Sequence, residues 1–425
     1  MSYGFALKGD ICFSDGPASL KTLPGGYIVC LDGLCAGAWE RLPERYAGLP
    51  LLDYSGKLVI PGLADLHTHA PQYAFRGAGM DLELLEWLDA HVFPEESKYS
   101  DLGYADRAYT IFADALRRGP NTRACVFATV HAPATMLLMD KLEASGLVTF
   151  VGKVNMDRNG PYPLREESAA KSAEDTVRWA EECLNRRYRN TRPILTPRFI
   201  PSCSDELMRL LKEIQARYGL PLQSHLSENQ SECDWVSELC PGSATYGDAY
   251  ASFGLFGGGV PTVMAHCVQS GDREIALMKR NGVYVAHCPQ SNTNLVSGIA
   301  PARKFLKNGL KAGLGSDVAG GCHTSIFRAM SDAIQASKLY WRLVDQGCRP
   351  LSIEEAFYLG TVGGGSFFGK AGAFEEGFEF DAVIIDESGT PSPSPLGMKE
   401  RLARAIYLSS DCGVIAKFVR GSKIL

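Results

Sequence analysis

Between about residues 59 and 320 short apolar runs alternate with polar or glycine-rich turns and charged stretches of helical period. That rhythm predicts parallel strands joined by crossover helices. Eight runs stand out: 58–69, 123–131, 147–156, 194–199, 221–227, 262–268, 283–287 and 311–317. Eight strand–helix units predict an α/β fold of the (β/α)₈ TIM-like barrel type, assigned to residues 58–373. The flanks break the rhythm. Strand-like runs lie at 27–31 and 57–59 before the barrel and at 381–386 and 414–419 after it. Neither flank is long enough for a secure core of its own. Residues 1–57 and 374–425 are therefore expected to combine into one small β-sandwich domain, with Ser388–Leu396 as a surface loop.

Composition narrows the classes of function. Hydrophobic residues make up 45% of the 425, enough for a large core. Forty-three Lys and Arg against 48 Asp and Glu leave a formal charge of −5, so no basic field draws nucleic acid or anionic lipid. Thirteen cysteines without a Cys-x-x-Cys pair, and a start lacking a basic and then apolar leader, predict a reduced, cytoplasmic protein. No run reaches the roughly 18 apolar residues that a membrane span needs. The triglycines 257–259 and 363–365 lack the spaced context of a dinucleotide loop and read as loop and helix-end features.

The candidate chemistry sits at strand ends. In Asp-Leu-His-Thr-His the strand period of two puts Asp65, His67 and His69 on one side. Taken alone, such a His pair also fits imidazoles satisfied by local hydrogen bonds. His225, His266 and Asp317 end three further predicted strands, and a barrel brings strand ends to one mouth. Three neutral imidazoles and a carboxylate suit a borderline cation such as Zn²⁺, with water left as the reactive ligand. Glu228 follows His225 by three residues, where it is either a proton carrier or a helix-capping carboxylate.

Several longer stretches carry a resemblance. They are Pro-Gly-Leu-Ala-Asp-Leu-His-Thr-His-Ala-Pro-Gln-Tyr (61–73), Thr-Pro-Arg-Phe (196–199), His-Leu-Ser-Glu (225–228), Val-Met-Ala-His-Cys (263–267), Ala-His-Cys-Pro-Gln-Ser-Asn (286–292) and Gly-Leu-Gly-Ser-Asp-Val-Ala-Gly-Gly (313–321). Across nearly the whole chain the sequence resembles the guanine deaminases of the amidohydrolase superfamily. Asp-x-His-x-His indicates the superfamily; Ala-Pro-Gln-Tyr and Thr-Pro-Arg-Phe indicate the guanine branch.

The resemblance implies hydrolysis of guanine to xanthine and ammonia at one metal ion held by His67, His69, His225 and Asp317. Zinc is the implied ion, with Fe²⁺ an open alternative for the same ligands. Relatives with two metals bridge them by a carboxylated lysine on the fourth strand, where this chain has Arg198. By the same likeness Glu228 shuttles protons, Asp317 helps orient the nucleophile, and His266 positions it without ligating. Gln72, Arg198 and Phe199 are implied to read the purine, with His225 and His266 beside it; plain core packing is the other reading of Phe199. A homodimer is implied as well.

Two rivals stay open: a sister enzyme deaminating 8-oxoguanine, a pterin, cytosine or a triazine, and a non-catalytic amidohydrolase-like scaffold. His131, His287, His91 and His323 carry no assigned role, although His131 could line the pocket and the 87–93 helix is placed over the mouth. The stretches 118–123 and 322–323 depart from the family pattern. Both are placed near the mouth, where they would bear on substrate scope and loop closure.

Overall fold

The computed structural model describes residues 4–425. Four strands come first: β1 (Gly4–Gly16), β2 (Ser19–Leu31), β3 (Leu34–Trp39) and β4 (Leu51–Pro61). The barrel region follows with β5 (Leu63–His69), β6 (Asn121–Phe127), β7 (Val148–Gly152), β8 (Val154–Asn155), β9 (Thr191–Pro193), β10 (Thr196–Pro197), β11 (Leu222–Leu226), β12 (Thr262–His266), β13 (Tyr284–His287) and β14 (Lys311–Leu314). The chain closes with β15 (Ala382–Asp386), β16 (Gly413–Val419) and β17 (Ser422–Lys423).

The parallel sheet runs β11-β12-β13-β14-β5-β6-β7-β9, with helices between successive strands. It closes on itself at Leu195, which bridges Leu222 and accepts the Gln223 N–H at 3.0 Å. The architecture is the expected (β/α)₈ barrel. One detail differs from the predicted run at 194–199. The fourth strand is broken into β9 and β10 because Pro193 and Pro197 have no N–H to give a ladder. The break lets Thr196 and Pro197 pair with β8 and carries Arg198 out over the strand end.

The terminal strands form one seven-stranded sheet, β17-β16-β15-β4-β1-β2-β3. Its period-two pattern divides two cores. Phe5, Leu7, Ile11 and Phe13 of β1 pack with Ile384 and Phe418 on one face. Cys12, Leu58, Ile60, Val383 and Ile385 face the other way, into the core shared with the barrel helices. The predicted run 58–69 is in fact two strands. β4 continues to Pro61, paired with Ala382, so the small sheet reaches past residue 57 before the barrel begins. The chain crosses over at Gly62, where a Cβ would lie 2.1 Å from Thr122 Oγ1, so only glycine fits.

Polar groups seal the junction. Arg123, buried at the start of β6, donates from Nε to Asp381 and from Nη2 to Glu379, both at 2.7 Å. Lys417 of β16 is fully buried, and its Nζ donates to the carbonyl oxygens of Leu116, Gly119 and Asn121 at 2.8–2.9 Å. Those carbonyls end the helix Leu102–Arg118 and its exit, groups that would otherwise lack donors. This corrects the placement of 118–123 near the mouth. The stretch precedes β6 and so lies at the opposite end of the barrel, docked against the small sheet.

Candidate active site

His67 and His69 occupy alternate positions at the end of β5, His225 lies in β11, His266 ends β12, and Asp317 follows β14 by three residues. The barrel brings all five to one mouth, sealed from bulk water. His69 Nε2 lies 3.2 Å from His67 Nε2 and 3.3 Å from His225 Nε2. Asp317 Oδ1 lies 3.1 Å from His67 Nε2 and 3.4 Å from His69 Nε2. Four ligands about 2.0–2.2 Å from a tetrahedral centre stand about 3.3–3.6 Å from one another, so these spacings fit a zinc-sized cation. Two overlapping groups of potential ligand atoms lie mutually close: His67, His69 and His225, and His67, His266 and Asp317.

The protonation states favour the same use. Burial above all pushes His67, His69 and His225 below the usual histidine range, which leaves the rings neutral with lone pairs to give. His225 Nδ1–H donates to the Arg198 carbonyl at 2.6 Å, which reserves Nε2 for the mouth. His67 and its neighbours hold Asp317 well below the usual carboxylate range against the opposing effect of burial. Gly315 permits this crowding, since a Cβ there would meet His67 Cβ at 2.9 Å.

Local backbone is unusual where these groups are presented. Ser227, His266, Cys267 and Asp317 all adopt left-handed conformations, with φ between 44° and 73°. Each such residue costs about 1–3 kcal/mol in isolation, and such costs concentrate at functional sites. Here they turn the chain sharply at the ends of three barrel strands. Asp65, which the sequence put on the same side as the histidines, lies beneath them instead. It accepts the Ser316 N–H at 3.0 Å, the Ser316 hydroxyl at 2.6 Å and the His67 N–H at 3.1 Å, so it joins the β5 ligands to the Asp317 loop. Burial pushes its pKa up to about 7.

Above this floor is a small cavity lined by both polar and apolar side chains. Glu228 borders it, 4% exposed, with Oε2 3.3 Å from His266 Nε2. Asp317 Oδ2 lies 3.8 Å from the same nitrogen, and Asn292 Oδ1 meets His266 Nδ1 at 2.9 Å. Burial, then the negative charges of Asp317 and Glu232, push the Glu228 carboxyl well above the usual range. Gln72, Arg198 and Phe199 border the cavity too, with Phe199 against the edge of Trp235 at 6.3 Å. Leu84, Trp87, Leu88 and Leu295 supply apolar cover.

The remaining histidines fall outside. His131 precedes the helix Ala132–Ser145 and borders a different cavity, His91 stacks on Phe75, His287 is buried with its pKa lowered to about 4 by burial, and His323 is exposed. Sequence reasoning missed Glu96. Its Oε1 accepts from Gln72 Nε2 at 3.0 Å and its Oε2 from Arg198 Nη1 at 2.7 Å. It missed Glu232 as well, which accepts the Glu228 N–H at 3.1 Å and the Tyr246 hydroxyl at 2.8 Å. Both are acids in polar helical stretches that look solvent-facing in one dimension; only burial marks them.

Comparison with known proteins agrees with this geometry. Residues 58–424 match the amidohydrolase family. A guanine deaminase of Dictyostelium discoideum is 39% identical over 381 residues, covering 88% of this chain and 84% of the relative. The guanine deaminase of Escherichia coli K12 is 33% identical over 95% of this chain and 92% of its own length. A crystal structure of guanine deaminase from C. acetobutylicum, with guanine bound in its active site, superposes with a TM-score of 0.96 at 43% identity over all of both chains. The chain belongs to the amidohydrolase family, and within it to the guanine deaminases.

Proposed function

We propose that the protein hydrolyses guanine at C2, consuming water and releasing xanthine and ammonia. The observation that carries this reading is one cavity bordered by His69, His225, His266 and Asp317 together with Glu228, Gln72, Arg198 and Phe199. Likeness to an enzyme whose structure holds guanine supports it. In this reading His67, His69, His225 and Asp317 hold one zinc ion. When bound, zinc supplies Lewis acidity and lowers the pKa of a water toward about 7.

The chain's own groups do the rest. As the water oxygen bonds to C2, Glu228 takes a proton from it and delivers it to the ring nitrogen. The hydroxyl now on C2 gives up the second proton, which reaches the 2-amino group, so the C2–N bond breaks with ammonia as the leaving group and the 2-oxo group forms. His266 Nε2, between Glu228 and Asp317, orients the water and shares the proton with Glu228. Gln72 and Arg198 read the lactam edge through donors and an acceptor, and Phe199 forms an aromatic wall for the base. A homodimer in the cytoplasm completes the reading.

Ammonia release from guanine, 8-oxoguanine, isoxanthopterin, adenine and cytosine tests it, on protein of measured metal content. Guanine turned over well above the rest, with about one zinc per chain, is the expected result. Preference for another ring overturns the substrate while keeping the chemistry, and silence on all five by metal-loaded protein overturns both. Metal analysis separates zinc from iron, and light scattering reads the dimer.

A further inference from the structure

We propose that Glu96 is a positioning residue that sets which ring edge the site reads. The inference rests on the guanine reading above and goes beyond it, since Glu96 does not border the cavity.

Glu96 is 2% exposed, and each of its oxygens meets one purine reader: Oε1 the Gln72 amide nitrogen, Oε2 the Arg198 guanidinium. An amide can sit in either of two flipped orientations, and a carboxylate accepts only. Glu96 therefore holds the Gln72 nitrogen towards itself, while the Ala319 N–H donates to Gln72 Oε1 at 3.1 Å from the other side. Each end of the amide keeps one bond to spare, one N–H and one lone pair. That remainder complements a ring edge with an oxo acceptor next to an N–H donor, the lactam edge of guanine. Adenine presents the reverse pattern. The negative charge also offsets the buried charge of Arg198, which makes one hydrogen bond within the protein and borders the cavity with its remaining donors.

The same short segment roofs the site. Leu84, Trp87 and Leu88 cover the cavity, the chain widens to a π turn over Leu88–Val92, and the Phe93 ring lies 5.4 Å from the Arg198 guanidinium carbon. Roof, stacking face and carboxylate thus arrive on one stretch of chain. Wide turns of this kind recur at functional sites.

The test is the Glu96→Gln variant of the metal-loaded enzyme, assayed for KM and kcat on guanine and for Ki of 2-aminopurine, the same ring without the 6-oxo group. Glu96→Asp, which keeps the charge at shorter reach, serves where Gln does not fold. The expected result is a KM for guanine raised about 10- to 100-fold with a smaller change in kcat, and a Ki for 2-aminopurine close to wild type. In a Gln72→Ala background the Glu96 substitution should add much less than it does alone. Equal weakening of both ligands, lost metal, an unchanged KM for guanine or full additivity with Gln72→Ala each overturn the proposal. Wild-type protein inactive on guanine overturns the functional reading itself, and this one with it.

Discussion

Arg123 and Arg198 are both all but sealed from solvent, at 2% and 3% exposure, and each faces acidic partners, yet they stand at opposite ends of the barrel in different states. Arg123, at the start of β6, is bonded to Asp381 and Glu379, whose carboxylates also receive Thr122 and Arg420, and only its Nη1 lacks an acceptor. Arg198, past the end of β10, gives one hydrogen bond to Glu96 and leaves its other donors beside a cavity. A buried guanidinium consumed by protein acceptors fastens two domains. One left partly unspent beside a cavity keeps donors for whatever enters, which is the role proposed above for Arg198.

The contrast between the two ends can be sharpened by substitution, beginning at the mouth. Glu228→Gln should leave metal content and folding near wild type while turnover falls about 10²–10⁴-fold, read by ammonia release and metal analysis. At the junction, Arg123→Ala should destabilise by about 3–5 kcal/mol, because Asp381 loses a buried partner, and the surviving folded enzyme should keep its KM. Denaturant titration beside steady-state kinetics reads both; a raised KM with unchanged stability would erase the distinction between the arginines. Arg198→Ala should lower kcat/KM for guanine about 10- to 100-fold with metal content unchanged. Loss of metal instead would mean that the side chain serves to hold the 198 backbone, whose carbonyl accepts from His225, rather than to read guanine.

The smallest effect concerns Lys417. Burial pushes this amine down to about 7, while the unfolded chain carries an ordinary lysine near pH 10.4. Between about pH 7 and 10 the unfolded state then binds more protons, so stability contributed here rises with pH across that window. Lys417→Met should flatten that part of the stability profile while leaving the mouth unaltered, and an unchanged slope would show the amine stays charged in the fold.

Much of this protein is legible in one dimension. The apolar rhythm marks seven of the eight barrel strands, since a parallel strand covered by helices must be apolar along its length; the fourth, Thr191–Pro193, is polar and falls just before the predicted run. Five chemical groups at strand ends follow from the same rhythm, because the barrel gathers those ends wherever they lie in the chain. The flanking runs at 27–31, 57–59, 381–386 and 414–419 likewise mark β2, β4, β15 and β16 of the small sheet, whereas β1 went unmarked.

What only the tertiary structure decided is which polar residues are buried together. Glu96 and Glu232 sit among charged neighbours in helical stretches, and nothing in their spacing separates them from solvated acids. The stretch 118–123 reads as a mouth loop until the small sheet covers it and Lys417 reaches its carbonyls. Periodicity reports local burial, whereas a hydrogen-bond partner more than a hundred residues away, as Arg198 is for Glu96, leaves no periodic trace. The sequence by itself determined the barrel and the groups at its mouth. The tertiary structure decided that Glu96 and Phe93, more than a hundred residues away, meet Arg198, and that Glu96 also holds Gln72.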